Sequence, residues 1–98
     1  MVKHIILWKL RDDIPDAEKV KEEAKENLEA LVGKISGLIE LKLIISGLET
    51  SNCDMMLDSS FVDFDALKSY AVHPDHVAAA DNYVRPFTAN RLCMDFEA

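Results

Sequence analysis

Basic residues are scarce in this sequence: 11 lysines and arginines stand against 18 acids, for a net charge of −7. No run of Lys or Arg collects on any expected face, so nucleic acid and anionic membrane are poor partners. The two cysteines, Cys53 and Cys93, have neither metal-ligand spacing nor the density of a disulfide scaffold, and free thiols are expected. No segment approaches a membrane-spanning length. The apolar start, Val2 to Leu10, is interrupted by Lys9 and lacks a small-residue cleavage site, so it reads as a strand rather than a signal peptide. The cytoplasm is the expected location.

What the chain does have is aliphatic mass. It is 49% hydrophobic with only seven aromatics (four Phe, two Tyr, one Trp) over residues 1–98, a length that suits a single domain. So high an apolar load in so short a chain suggests that a partner subunit covers part of it.

The first strand places Val2, His4, Ile6, Trp8 and Leu10 on one face and Lys3, Ile5, Leu7 and Lys9 on the other. Both faces are apolar in the middle, as in a central strand covered on both sides. Asp12 to Asp16 is turn and cap chemistry. A helix follows over about 16–33, with Val20, Ala24, Leu28, Leu31 and Val32 as its stripe and Gly33 as its stop. Residues 38–46 form a second strand with Ile39, Leu41, Leu43 and Ile45 on one face. Residues 53–62 form a third, with Met55, Leu57, Ser59 and Phe61 together. Asp63 caps a short helix that turns Phe64, Leu67, Tyr70 and Ala71 inward. A fourth strand, residues 90–97, opposes Leu92, Met94 and Phe96 to Arg91, Cys93 and Asp95.

The order is βαββαβ. The economical solution is a four-stranded antiparallel sheet in order 4-1-3-2 with right-handed crossovers and the helices on one face. The bare face keeps apolar residues, so a symmetry mate is expected to close it and make a homodimer through the sheet faces.

One stretch carries chemistry: Tyr70-Ala71-Val72-His73-Pro74-Asp75-His76. Pro74 breaks the preceding helix and suits the first position of the next, which makes His73 the N-cap. From there His76, Ala79, Ala80, Tyr83, Val84 and Phe87 form one stripe, and Ala78 to Ala80 leave room beside His76. His76 reads either as a core histidine satisfied by one hydrogen bond or as a group facing a pocket. His4, near the end of an apolar row, is either a pocket wall or a strand end.

Together, Val2 to Leu10, Phe61-Val62-Asp63, Tyr70-x-x-His73-Pro74-x-His76, Tyr83-x-x-Pro86 and Asp95-Phe96-Glu97 resemble the stress-responsive dimeric α+β barrel (Dabb) family over essentially the whole chain. The resemblance implies an α+β, ferredoxin-like protomer that forms a two-fold barrel. It does not fix an activity, because the family includes plant stress proteins and polyketide cyclases. The positions that match the cyclases' chemical groups are His4, His76 and Tyr70, while a further cyclase tyrosine falls at Leu28. Some members hold Mg²⁺ on main-chain carbonyls, matching Val32, Ile35 and Leu38.

Such residues would suit proton transfer on an apolar carbonyl compound without a cofactor, with His76 as base and His4 and Tyr70 orienting the substrate or stabilising an oxyanion. Two other readings stay open: a non-catalytic ligand-binding or oligomeric stress protein, and an oxygenase or haem-related barrel with His76 as axial ligand.

Overall fold

In the computed structural model, which describes residues 1–98, β1 (Val2–Leu10) runs through the middle of a four-stranded antiparallel sheet. The other strands are β2 (Leu38–Ile44), β3 (Met55–Phe61) and β4 (Thr88–Glu97), and the order across the sheet is β2-β3-β1-β4. This is the ferredoxin-like order expected from the sequence. Three helices, α1 (Ala17–Glu29), α2 (Phe64–Val72) and α3 (Pro74–Tyr83), complete the chain, with a short 3-10 turn at Arg85–Phe87 before β4.

Local chemistry sets the helix limits. The Asp16 carboxylate accepts the Lys19 N–H at 3.0 Å and starts α1. The helix ends at Glu29, short of the expected residue 33, and residues 30–37 form turns that include Gly33 at φ +89°. Asp63 caps α2 by accepting the Ala66 N–H at 2.8 Å. His73 caps α3 through Nδ1, which accepts the Asp75 N–H at 3.1 Å, and Pro74 follows as the first helical residue. Gly37 lets α2 approach closely: a Cβ there would lie 2.5 Å from the Ala66 Cβ.

The helices cover the face that carries Val2, His4, Ile6, Trp8 and Leu10, all buried. Leu43 and Phe61 are fully buried in the same layer, and each contributes roughly 2–3 kcal/mol by leaving water. β2 departs from simple alternation. Its pairing with β3 shifts between Leu38 and Glu40, so Leu38, Leu41 and Leu43 all point into the core while Ile39 is 47% exposed. Phe64 and Ala71, expected inward, are exposed; α2 buries only Leu67 and Tyr70. The opposite sheet face has no helix over it. There Ile5 and Leu7 are half-buried, and Leu92, Met94 and Phe96 of β4 are exposed.

Candidate functional site

A cavity of about 490 Å³ opens on the helix-covered side, over the seam between β1 and β4. Such a volume suits a small organic ligand. His4, Tyr70 and His76, the three residues singled out by the sequence, all line it. So does Leu28, the position where a tyrosine would stand in the cyclases, and it contributes an aliphatic wall. The room beside His76 comes from Ala71 and Ala80; Ala79 is buried in the core, and Ala78 is exposed.

Each polar group is held differently. His4 sits on β1, its backbone carbonyl accepting the Ser59 hydroxyl at 2.8 Å. Its ring pairs through Nδ1 with the Asp95 carboxylate, directly across the β1–β4 pair. His76 donates its Nδ1–H to the Ala71 carbonyl at 3.2 Å, so its Nε2 is basic in the neutral ring. Burial first, and then the nearby Arg85, His4 and Arg91, hold the His76 imidazole below its ordinary value and favour the neutral form at pH 7.

Tyr70 lies between these imidazoles, 4.1 Å from the His76 ring and 6.3 Å from the His4 ring, centroid to centroid. Only 1% of it is exposed, and its hydroxyl has no hydrogen-bond partner in the protein. Burial pushes the phenol pKa well above its ordinary value, so the group remains a proton-bearing donor. A buried hydroxyl without a partner costs stability, and the residue that carries it belongs to the cavity lining.

The sequence reading missed the β4 contribution. Arg91, Cys93 and Asp95 line the cavity because β4 pairs antiparallel with β1, placing Asp95 opposite His4 and Cys93 opposite Ile6. The signal was the polar row itself, on the side of β4 that faces the helices. Burial, then the Asp95 charge, push the Cys93 thiol up, which makes it a poor nucleophile near neutrality. His4 Nδ1, Cys93 Sγ and an Asp95 oxygen lie within 4.8 Å of one another and are donors a borderline-soft cation accepts, yet they already bond among themselves.

Val32, Ile35 and Leu38 fall in and after the turn that follows α1. The Ile35 carbonyl accepts the Leu38 N–H at 3.3 Å, no carboxylate stands in residues 30–37, and Lys34 adds a positive charge. This donor set does not fit a tightly held Mg²⁺, and no chemistry below passes through one.

The sequence profile of the Stress responsive A/B Barrel Domain matches residues 2–98. A dimeric protein of unknown function and ferredoxin-like fold from Bacteroides fragilis is 39% identical, with TM-score 0.89 over 99% of this chain and 95% of that one. The hydroxynitrile lyase of Passiflora edulis shares the fold at 12% identity, with TM-score 0.80 over 97% of this chain and 90% of that one. SnoaB, a cofactor-independent oxygenase from Streptomyces nogalater, shares it at 14% identity, with TM-score 0.77 over 99% and 91%. No curated protein sequence matches the chain. No helix is long and apolar enough to cross a membrane.

Proposed function

Since the chain belongs to the stress-responsive A/B barrel domain family, we propose that it works in the cytoplasm as a homodimer closed through its open sheet faces, and that each protomer's cavity takes an apolar carbonyl compound and moves a proton on the carbon beside the carbonyl. Catalysis would use the side chains alone. The observation that carries this reading is Tyr70, a residue of the cavity lining whose buried hydroxyl has no partner in the protein, beside a neutral imidazole whose Nε2 is free.

His76 Nε2 takes the proton from the α-carbon. The C–H electron pair becomes the new C=C bond, and the carbonyl π electrons pass to oxygen. Tyr70 O–H donates to that developing oxyanion, a bond that is worth more the less water reaches it. His4, fixed by Asp95, presents a second imidazole for orienting the substrate or returning the proton. The aliphatic walls formed by Ile6, Leu28 and Leu57 select an apolar body.

The test uses 4-phenyl-2-butanone in D₂O, with α-deuteration followed by NMR and binding by thermal shift. Wild type is expected to bind it and to exchange its α-protons above the buffer rate, while His76→Ala loses roughly 100-fold or more of the exchange. Binding with exchange only at the buffer rate would leave a ligand-binding module. Absence of binding by this ketone and its longer-chain homologues would overturn the pocket reading.

A further inference from the structure

We propose that the ligand of this cavity is an anion: a carbonyl compound that also bears a carboxylate, gripped by Arg91 at the cavity mouth. This rests on the pocket reading above and narrows its substrate class.

The sign of the charge reverses at the cavity. The chain as a whole carries −7. Of the residues lining the cavity, Lys68, Arg85 and Arg91 are cationic and only Asp95 is anionic, which is +3 − 1 = +2 with neutral histidines. Asp95 is also occupied, since it accepts from His4 and from the Cys93 thiol. Three of the chain's 11 basic residues stand around this hollow of about 490 Å³, where low-dielectric walls focus their charge.

The three cations are not equivalent. Lys68 has the Asp65 carboxylate at 3.2 Å and lies 5.2 Å from the Phe64 ring centroid. Arg85 holds Asp81 at 2.5 Å. Arg91 has no carboxylate within 4.0 Å. Of the chain's three arginines, Arg11 and Arg85 are paired and Arg91 alone is not, although 18 acids were available to it.

Strand geometry fixes where Arg91 stands. It is opposite Trp8 on β4, on the same sheet face as Cys93 and Asp95. It stands four positions before Asp95, about 13 Å along the strand, and its long arm shortens that span. A planar guanidinium fork matches a carboxylate in two parallel hydrogen bonds, which a lysine would not reproduce. The ligand therefore has an apolar body, a carbonyl near Tyr70 and His76, and a carboxylate a short chain away.

The experiment compares 4-oxo-4-phenylbutanoate with its methyl ester by calorimetry, on wild type, Arg91→Gln and Arg91→Lys, at low and high salt. Wild type is expected to bind the acid at least about tenfold more tightly than the ester, with the gap shrinking in salt. Arg91→Gln, at an exposed position, removes the preference while ester affinity holds; Arg91→Lys keeps part of it. Equal binding of acid and ester by wild type, or a preference that survives in Arg91→Gln, overturns the proposal and leaves the pocket intact. If wild type binds neither compound, the anion proposal is also overturned, and 4-phenyl-2-butanone then decides whether the pocket reading survives.

Discussion

The two faces of β4 are arranged in opposite senses to those of β1. In β1 the row that meets the helices is mostly apolar, with Val2, Ile6, Trp8 and Leu10 buried. In β4 the row on that side is Arg91, Cys93 and Asp95, while Leu92, Met94 and Phe96 point away from every helix. The outward row lies beside Ile5 and Leu7, since Met94 pairs with Ile5 and Leu92 with Leu7. An edge strand with its greasy side to open water and its polar side toward the helices makes little sense in an isolated protomer. It makes sense if a second copy covers the outward row and the inward row is kept for a ligand.

The sharpest way to break this contrast is to charge the outward row. Met94→Asp places a carboxylate in the proposed interface, and two-fold symmetry counts it twice. At several kcal/mol for each unpaired buried charge, association should weaken by roughly 10³-fold or more. Light scattering should then give the monomer mass, whereas Cys93→Ser on the inward row leaves the dimer unchanged. A dimer that persists in Met94→Asp would put the interface elsewhere.

A second contrast lies on the helix-covered side. The half over β2 and β3 is filled: Leu43 is fully buried among Leu28, Leu41 and Leu57 in one cluster, while the half over β1 and β4 is hollow. Leu43→Ala should therefore cost about 3 kcal/mol and lower Tm by roughly 12–20 °C, because the filled half cannot collapse onto the gap. A loss below about 1 kcal/mol in chemical denaturation would mean that this half is looser than its packing suggests.

The hollow half should respond to acid instead. Folding lowers the His76 pKa below the ordinary 6.5, chiefly by burial and by nearby positive charge, so the unfolded chain takes up a proton that the folded chain resists. Its contribution favours the folded state less as pH falls through 6.5 toward the folded value. The stability difference between wild type and His76→Gln, measured by urea titration from about pH 7.5 to 5, should turn against wild type on acidification. A difference that does not change with pH would show His76 to be solvated like a surface group.

Which parts of this were legible in the sequence follows from how far each signal reaches. The break at His73-Pro74 rests on a cap and a proline ring, and the structure shows the His73 Nδ1 cap at 3.1 Å. The alternation in β1 and β4 is likewise a local period, and it located both faces. The Asp95 partner of His4 is a matter of register between strands far apart in the chain. The shift at Leu38 to Glu40, which sends Ile39 outward, depends on how β3 accepts β2. Phe64 was placed inward by helical spacing, but the first turn of α2 reaches the cavity mouth rather than the core, and the ring lies beneath Lys68. His4, Tyr70 and His76 were singled out by their chemistry, and all three line the hollow; the cations around them could be placed only once the strand order set β4 beside β1.

Tyr70→Phe should have the smallest effect on stability and is the most informative about the hollow. A buried hydroxyl that bonds to a protein group normally costs about 1 kcal/mol or more when removed. Tyr70 has no such bond to lose, and its ring already packs at 5.0 Å from Phe61, so phenylalanine keeps the ring contacts. The unliganded protein should be unchanged or firmer by up to about 1 kcal/mol, while the ketone-induced thermal shift and the α-proton exchange both fall. A variant clearly less stable without ligand would mean that the hydroxyl finds a structural partner in solution. The group would then belong to the scaffold, and the oxyanion role assigned to it would pass to His4.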